Sequence, residues 1–77
     1  MEFEKLQEII AGVLNVDVNE ITMETTFKED LGADSLDVFQ IIMELEDTYG
    51  ISIDNEVAEQ IVTVGDAANQ IKNALND

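Results

Sequence analysis

Ser35 is the residue of this 77-residue chain best placed to do chemistry. It sits in Asp30-Leu31-Gly32-Ala33-Asp34-Ser35-Leu36-Asp37, just before the middle of the sequence. A serine hydroxyl becomes a nucleophile when a base takes its proton. The chain has no histidine to serve as that base and no cysteine for disulfides or thiolate metal sites. An enzyme is therefore the weakest reading. We read Ser35 instead as a point of covalent attachment for a cofactor. Asp34 is a good N-cap, and Asp37 three residues later puts an acid in the first turn, in the manner of a capping box. Ser35 then falls at the first position of a helix. A phosphate esterified there would meet free backbone N–H groups and the positive end of the helix dipole. The ordinary alternative for any Asp-Ser pair is a plain helix cap.

The elements that must position Ser35 follow from apolar spacing. Residues 2–14 read as an amphipathic helix, with Phe3, Leu6, Ile10 and Val13 at three- and four-residue steps and Ile9 and Leu14 widening the stripe. Asn15 is a stop signal. Residues 16–33 lack sustained periodicity, and Asn19, Thr22, Thr25 and Thr26 favour turns. Val18, Ile21, Met23, Phe27 and Leu31 are expected to pin this loop to the core. Its length suggests that it crosses the bundle, joining helices that are not simple antiparallel neighbours. Gly32 permits a sharp turn before the second helix.

Residues 35–49 form that helix, closed by Gly50. Val38, Ile42, Leu45 and Tyr49, flanked by Ile41, are expected to face the core. Leu36, Phe39 and Met43 make a second apolar stripe, edged by Asp37, Gln40, Glu44 and Asp47. Either the loop covers this stripe, or it is an exposed docking strip with an acidic border for basic enzymes. Asp54 or Asn55 caps a brief helix to about Gln60. Thr63-Val64-Gly65-Asp66 fits a capping box for a last helix to about Leu75, whose inner face is Val64, Ala67, Ala68, Ile71 and Leu75. The fold class is all-α: a small four-helix bundle, three main helices and one short, with a long loop between the first and second. Residues 1–77 make a single domain.

The octet around Ser35, with Phe27-Lys28-Glu29-Asp30 before it and Ala58-Glu59-Gln60-Ile61 and Thr63-Val64 after it, resembles the acyl carrier proteins of dissociated fatty-acid synthesis. The resemblance runs from about Phe3 to Leu75. It implies that Ser35, flanked by Asp34 and Leu36, carries 4′-phosphopantetheine, donated by coenzyme A through a phosphopantetheinyl transferase. The arm's thiol would bear growing fatty chains as thioesters. The implied partners are that transferase, acyltransferases, ketoacyl synthases, reductases and dehydratases, docking on the second helix through Leu36, Asp37, Phe39, Gln40, Met43, Glu44 and Asp47. It also implies that the acyl chain can retreat between the helices, for which small Ala67 and Ala68 offer a place to yield. Three positions depart from the family. Gln40 stands where an acid is usual, Phe39 where a smaller aliphatic is usual, and Asp54 where a proline often follows the isoleucine. They keep open a dedicated carrier for polyketide or another specialised acyl pathway.

Charge narrows the partners. Eighteen acids against Lys5, Lys28 and Lys72 give a net charge of −15, which repels nucleic acid and anionic lipid and suits basic partners. Disorder is rejected because 45% of the residues are hydrophobic and fall at helical spacing. No apolar run is long enough to span a membrane and the N-terminus lacks the basic start of a signal peptide, so the chain is expected in the cytoplasm or as a mature organelle protein. A monomer is expected. An EF-hand fails on its spacing: the glycines at 32 and 50 would need acids at Phe27 and Leu45. Weak divalent binding by Glu29, Asp30 and Asp34 is compatible with the sequence, but no dedicated metal site is expected. A plain acidic interaction module fits the charge but does not account for a serine at a helix start beside a two-striped helix.

Overall fold

Amphipathic periodicity produces the first helix, whose inner stripe packs mainly against the second. The structure, a computed structural model, describes residues 3–76. Helix α1 spans Phe3–Leu14 and buries Leu6 and Ile10 completely. Phe3, Ile9, Val13 and Leu14 are partly buried around them. Glu2, where the sequence pattern began this helix, lies outside the described residues. Asn15 ends α1 in the left-handed region with φ 57°, and the Val16 N–H donates back to the Ala11 carbonyl at 3.2 Å. Asparagine tolerates that backbone because its short polar side chain bonds locally.

Helix α2 spans Ser35–Tyr49 and buries Val38, Ile41, Ile42 and Leu45, the expected inner face. At about 1.5–3 kcal/mol for each fully buried aliphatic side chain, this face and that of α1 supply much of the core. The two helices pack on each other more extensively than any other pair. Gly50 closes α2 in the left-handed region, with Ile51 N–H donating to the Glu46 carbonyl at 3.1 Å. The short helix α3 is Asn55–Glu59, where Asp54 stands at the N-cap but makes no side-chain cap bond. Five residues hold too few helical bonds to be stable alone. Packing retains α3, through buried Ala58 and through Ile61 just beyond it. Helix α4 spans Val64–Asn76 and buries Val64, Ala67, Ala68 and Ile71. Its expected fifth inner residue, Leu75, is instead 46% exposed and borders a surface opening with Met23 and Lys72. The result is the four-helix, all-α architecture read from the sequence.

The loop from 16 to 34 is built rather than slack. It opens with a 3₁₀ turn, Val18–Glu20, capped by Asp17, whose carboxylate accepts the Asn19 N–H at 2.9 Å. Gln7 on α1 donates its side-chain amide to the Ile21 carbonyl at 2.7 Å. The threonines noted as turn formers do more than favour turns. Thr25 is buried, accepts the Thr22 N–H at 2.9 Å and donates to the Glu20 carbonyl at 3.3 Å. Ile21 and Phe27 reach the core, with Leu31 partly buried. Val18 and Met23, expected to be anchors, are 37% and 45% exposed. Backbone bonds carry that part of the loop instead. Phe27 N–H donates to Val62 O at 3.1 Å, Val64 N–H to Thr25 O at 2.9 Å and Gly65 N–H to Met23 O at 2.8 Å. Thr26 and Thr63 pair as an isolated antiparallel bridge. The length of the loop therefore goes into clamping the start of α4, while α1 and α2 remain direct neighbours. Gly65 is essential to the clamp, because a Cβ there would lie 2.9 Å from the Met23 carbonyl oxygen.

Candidate functional site

Two short sequence features place Ser35. Thr26 and Asp30 cap each other: the Thr26 N–H donates to the Asp30 carboxylate at 2.9 Å, and the Asp30 N–H to the Thr26 hydroxyl at 3.0 Å. Gly32 follows at φ 68°, and Ala33 is buried with its N–H on the Phe27 carbonyl at 2.9 Å. The chain thus enters α2 from a fixed direction. Asp34 and Asp37 then form the capping box. The Asp37 N–H donates to Asp34 Oδ1 at 2.9 Å, and the Asp34 N–H to Asp37 Oδ2 at 3.3 Å. Ser35 is the first residue of α2, and its side chain is exposed. Helix geometry gives the Ser35 and Leu36 N–H groups no carbonyl partner within α2. An oxygen-rich group on the Ser35 hydroxyl would meet both of them and the positive end of the dipole.

Beside Ser35 a cleft of about 100 Å³ opens between the loop, α2 and α3, lined by Lys28, Val38, Phe39, Ala58, Glu59 and Ile61. A second hollow of about 220 Å³ shares Lys28, Val38, Glu59 and Ile61 with it and extends to Phe27 and Val62. The two adjoin as a recess next to the serine, with Val38 and Ile61 giving both an apolar wall beside Lys28 and Glu59. Helical spacing gave no sign of it, because its walls come from three separate segments. The small residues singled out from the sequence are elsewhere. Ala67 is in the core, and Ala68 borders a different opening with Met23, Asn69, Lys72 and Leu75. Ala58 is the small residue at the recess by Ser35.

The second stripe of α2 is open to solvent, and the loop does not cover it. Leu36 is 78%, Met43 61% and Phe39 38% exposed. Gln40, Glu44 and Asp47 are exposed along its edge, while Asp37 is half-buried and engaged in the capping box. The acids at the far end have different roles. Glu46 is half-buried and accepts the Ile53 N–H at 2.8 Å, tying the connector to α2. An acid in the last turn of a helix opposes the dipole, so exposed Asp47 costs α2 some stability, while exposed Glu44 lies a turn earlier. The three acids considered for divalent binding do not converge: Asp30 and Asp34 are turned onto backbone N–H groups of their own turns. Among the described residues no group of three or more potential metal ligands comes together. Nor is any helix long and apolar enough to cross a membrane.

Residues 4–71 match the family described as the phosphopantetheine attachment site. The chain is 50% identical over 72 residues to an acyl carrier protein of Clostridium acetobutylicum, covering 94% of each chain. Its structure is similar to that of an acyl carrier protein from Thermotoga maritima, with a TM-score of 0.85, 32% identity and coverage of 96% of this chain and 86% of the other. It also matches the acyl carrier protein of Enterococcus faecalis, with a TM-score of 0.78, 37% identity and coverage of 92% and 90%. Extending over nearly the whole chain at that identity, these likenesses show that it belongs to the acyl carrier proteins, non-catalytic carriers with a phosphopantetheine attachment site.

Proposed function

We propose that residues 1–77 act as one carrier domain whose attachment residue is Ser35, with Asp34 and Leu36 as its flanking motif. The observation that carries this is the position of Ser35. Its exposed hydroxyl stands on the first turn of α2, between a recess and an exposed apolar strip. 4′-Phosphopantetheine fits there. The diester's phosphate would lie at the open N–H groups of the helix start, and the recess offers room beside it. Bound to Ser35, the group supplies a terminal thiol that holds acyl chains as thioesters. The protein's own part is to orient the attachment point, to screen cargo and to present itself to enzymes. Tethering raises the effective concentration of the acyl group at each enzyme visited.

The cargo we favour is the growing fatty chain, handled in the cytoplasm. The partners are a phosphopantetheinyl transferase, acyltransferases, ketoacyl synthases, reductases and dehydratases with basic docking patches. The docking surface is Leu36, Phe39 and Met43 with Asp37, Gln40, Glu44 and Asp47. Exposed Asp47, which acts against its own helix dipole, and exposed Glu44 support this surface, since neither has an evident role in holding the fold. Gln40 and Phe39 favour the second reading, a carrier for a polyketide or another specialised pathway, because both lie on the strip that partners would read. Intact mass tests the central claim. Given coenzyme A and a phosphopantetheinyl transferase, the protein gains the mass of one arm, while Ser35→Ala gains none. A Ser35→Ala protein that still gains the arm overturns the assignment.

A further inference from the structure

The first turn of α2 collects negative charge, and attachment adds more. Asp34 and Asp37 flank Ser35, Glu29 and Asp30 precede it, and Glu59 stands across the cleft. A phosphodiester on Ser35 would add another anion to a chain already at −15. Of the three lysines, Lys28 alone lines the cleft that contains Ser35. Lys5 is on α1, and Lys72 borders the separate opening beside Met23 and Leu75.

The backbone at Lys28 is held on both sides. Phe27 is 1% exposed and bonded through its N–H to Val62, and the Thr26–Asp30 reciprocal pair encloses the turn. The Lys28 side chain itself is exposed. A long, flexible ammonium on a fixed base is suited to follow a point charge. We propose that Lys28 is the counter-charge for the phosphate on Ser35, swinging its ammonium over the root of the arm. This rests on the attachment reading above. Lys28 is then a positioning residue: it offsets repulsion from Asp34 and Asp37 and holds the arm's root toward the recess.

The test uses apo and loaded protein, with loading first verified by intact mass. The lysines are reductively dimethylated with ¹³C, which keeps their charge, and titrated by NMR. On loading, the Lys28 pKa should rise by roughly half a pH unit at low salt, as expected for one new anion about 5 Å away in water. Lys5 and Lys72 should move much less. In unmethylated loaded protein, the phosphorus resonance should shift in Lys28→Gln and stay near its wild-type position in Lys28→Arg. Loaded protein in which Lys28 titrates as it does in the apo form overturns the proposal, as does a phosphorus resonance indifferent to Lys28→Gln. If the wild-type protein gains no mass, the attachment reading itself fails and the role of Lys28 fails with it.

Discussion

Ser35→Ala removes the only atom through which a phosphodiester could be made at that position, yet the fold should tolerate it. The side chain is exposed, Asp34 still caps the helix, and alanine is a good first-turn residue. We expect the circular-dichroism spectrum to be retained and stability to change by about 1 kcal/mol or less. A second residue-scale prediction concerns Asp66. Its carboxylate accepts the Val62 and Thr63 N–H groups at 3.0 and 3.1 Å, and its own N–H donates to the Thr63 hydroxyl at 3.1 Å. The Thr63 backbone N–H, then that of Val62, holds the Asp66 carboxyl below the usual carboxylate range, with slight burial opposing. A depressed pKa stabilises the fold fully above the ordinary aspartate value of about 3.9. That stability is lost as pH falls through the lower value in the folded state. Asp66→Asn should therefore cost about 1 kcal/mol or less at pH 7, discounted because the group is largely solvated. Denaturant melts should show the difference vanishing in strong acid, and a gap that widens there would refute this account.

At the scale of the element, α2 divides its two apolar stripes between core and solvent. If the exposed one guides encounters, Glu44→Lys and Asp47→Lys should slow reaction with several partner enzymes and flatten its dependence on salt. Helicity should hold, since both positions are exposed and Asp47→Lys places a cation in the last turn, where the dipole favours one. Unaltered rates with several partners would move the docking surface elsewhere. The recess between α2 and α3 yields a prediction about cargo. Ala58→Leu should fill the space beside Ser35, so that long acyl thioesters hydrolyse faster or shorter chains are preferred. Equal hydrolysis of long chains on both proteins would exclude this recess as the shelter. The short α3 is the element most easily displaced, because it has five residues and no side-chain cap bond.

At the scale of the whole molecule, the described residues put 16 acids and three lysines into a body of about 31 × 24 × 20 Å. At physiological salt, where the Debye length is about 8 Å, repulsion acts between neighbouring acids, and at about 0.01 M salt, where it is about 30 Å, repulsion reaches across the fold. Melting temperature should rise with added salt or magnesium near neutral pH, through screening rather than a dedicated ion site. A melting temperature indifferent to both would show that the charges are already compensated.

The sequence determined what depends on neighbours along the chain. Helical spacing in Phe3, Leu6 and Ile10 and in Val38, Ile42 and Leu45 specified the inner faces. Asp34 with Asp37, and Thr63 with Asp66, marked the starts of α2 and α4, because capping is a contact over three residues. Gly50 and Asn15 marked the stops. The octet supplied the candidate attachment serine through its local chemistry and its likeness to a family. Tertiary structure decided what depends on distant segments meeting. Whether Leu36, Phe39 and Met43 were covered depended on where the loop went, and it went to the start of α4. Met23 and Val18 looked like anchors by composition, yet backbone bonds across 23–27 and 62–65 hold the loop at Met23, and the Gln7 amide and the Ile21 N–H hold the Val18 carbonyl. Gly65 showed no helical reason for being glycine until the Met23 carbonyl was seen against it. The recess beside Ser35 joins Lys28, Val38 and Ala58 from three parts of the chain, and no one-dimensional period encodes such a meeting.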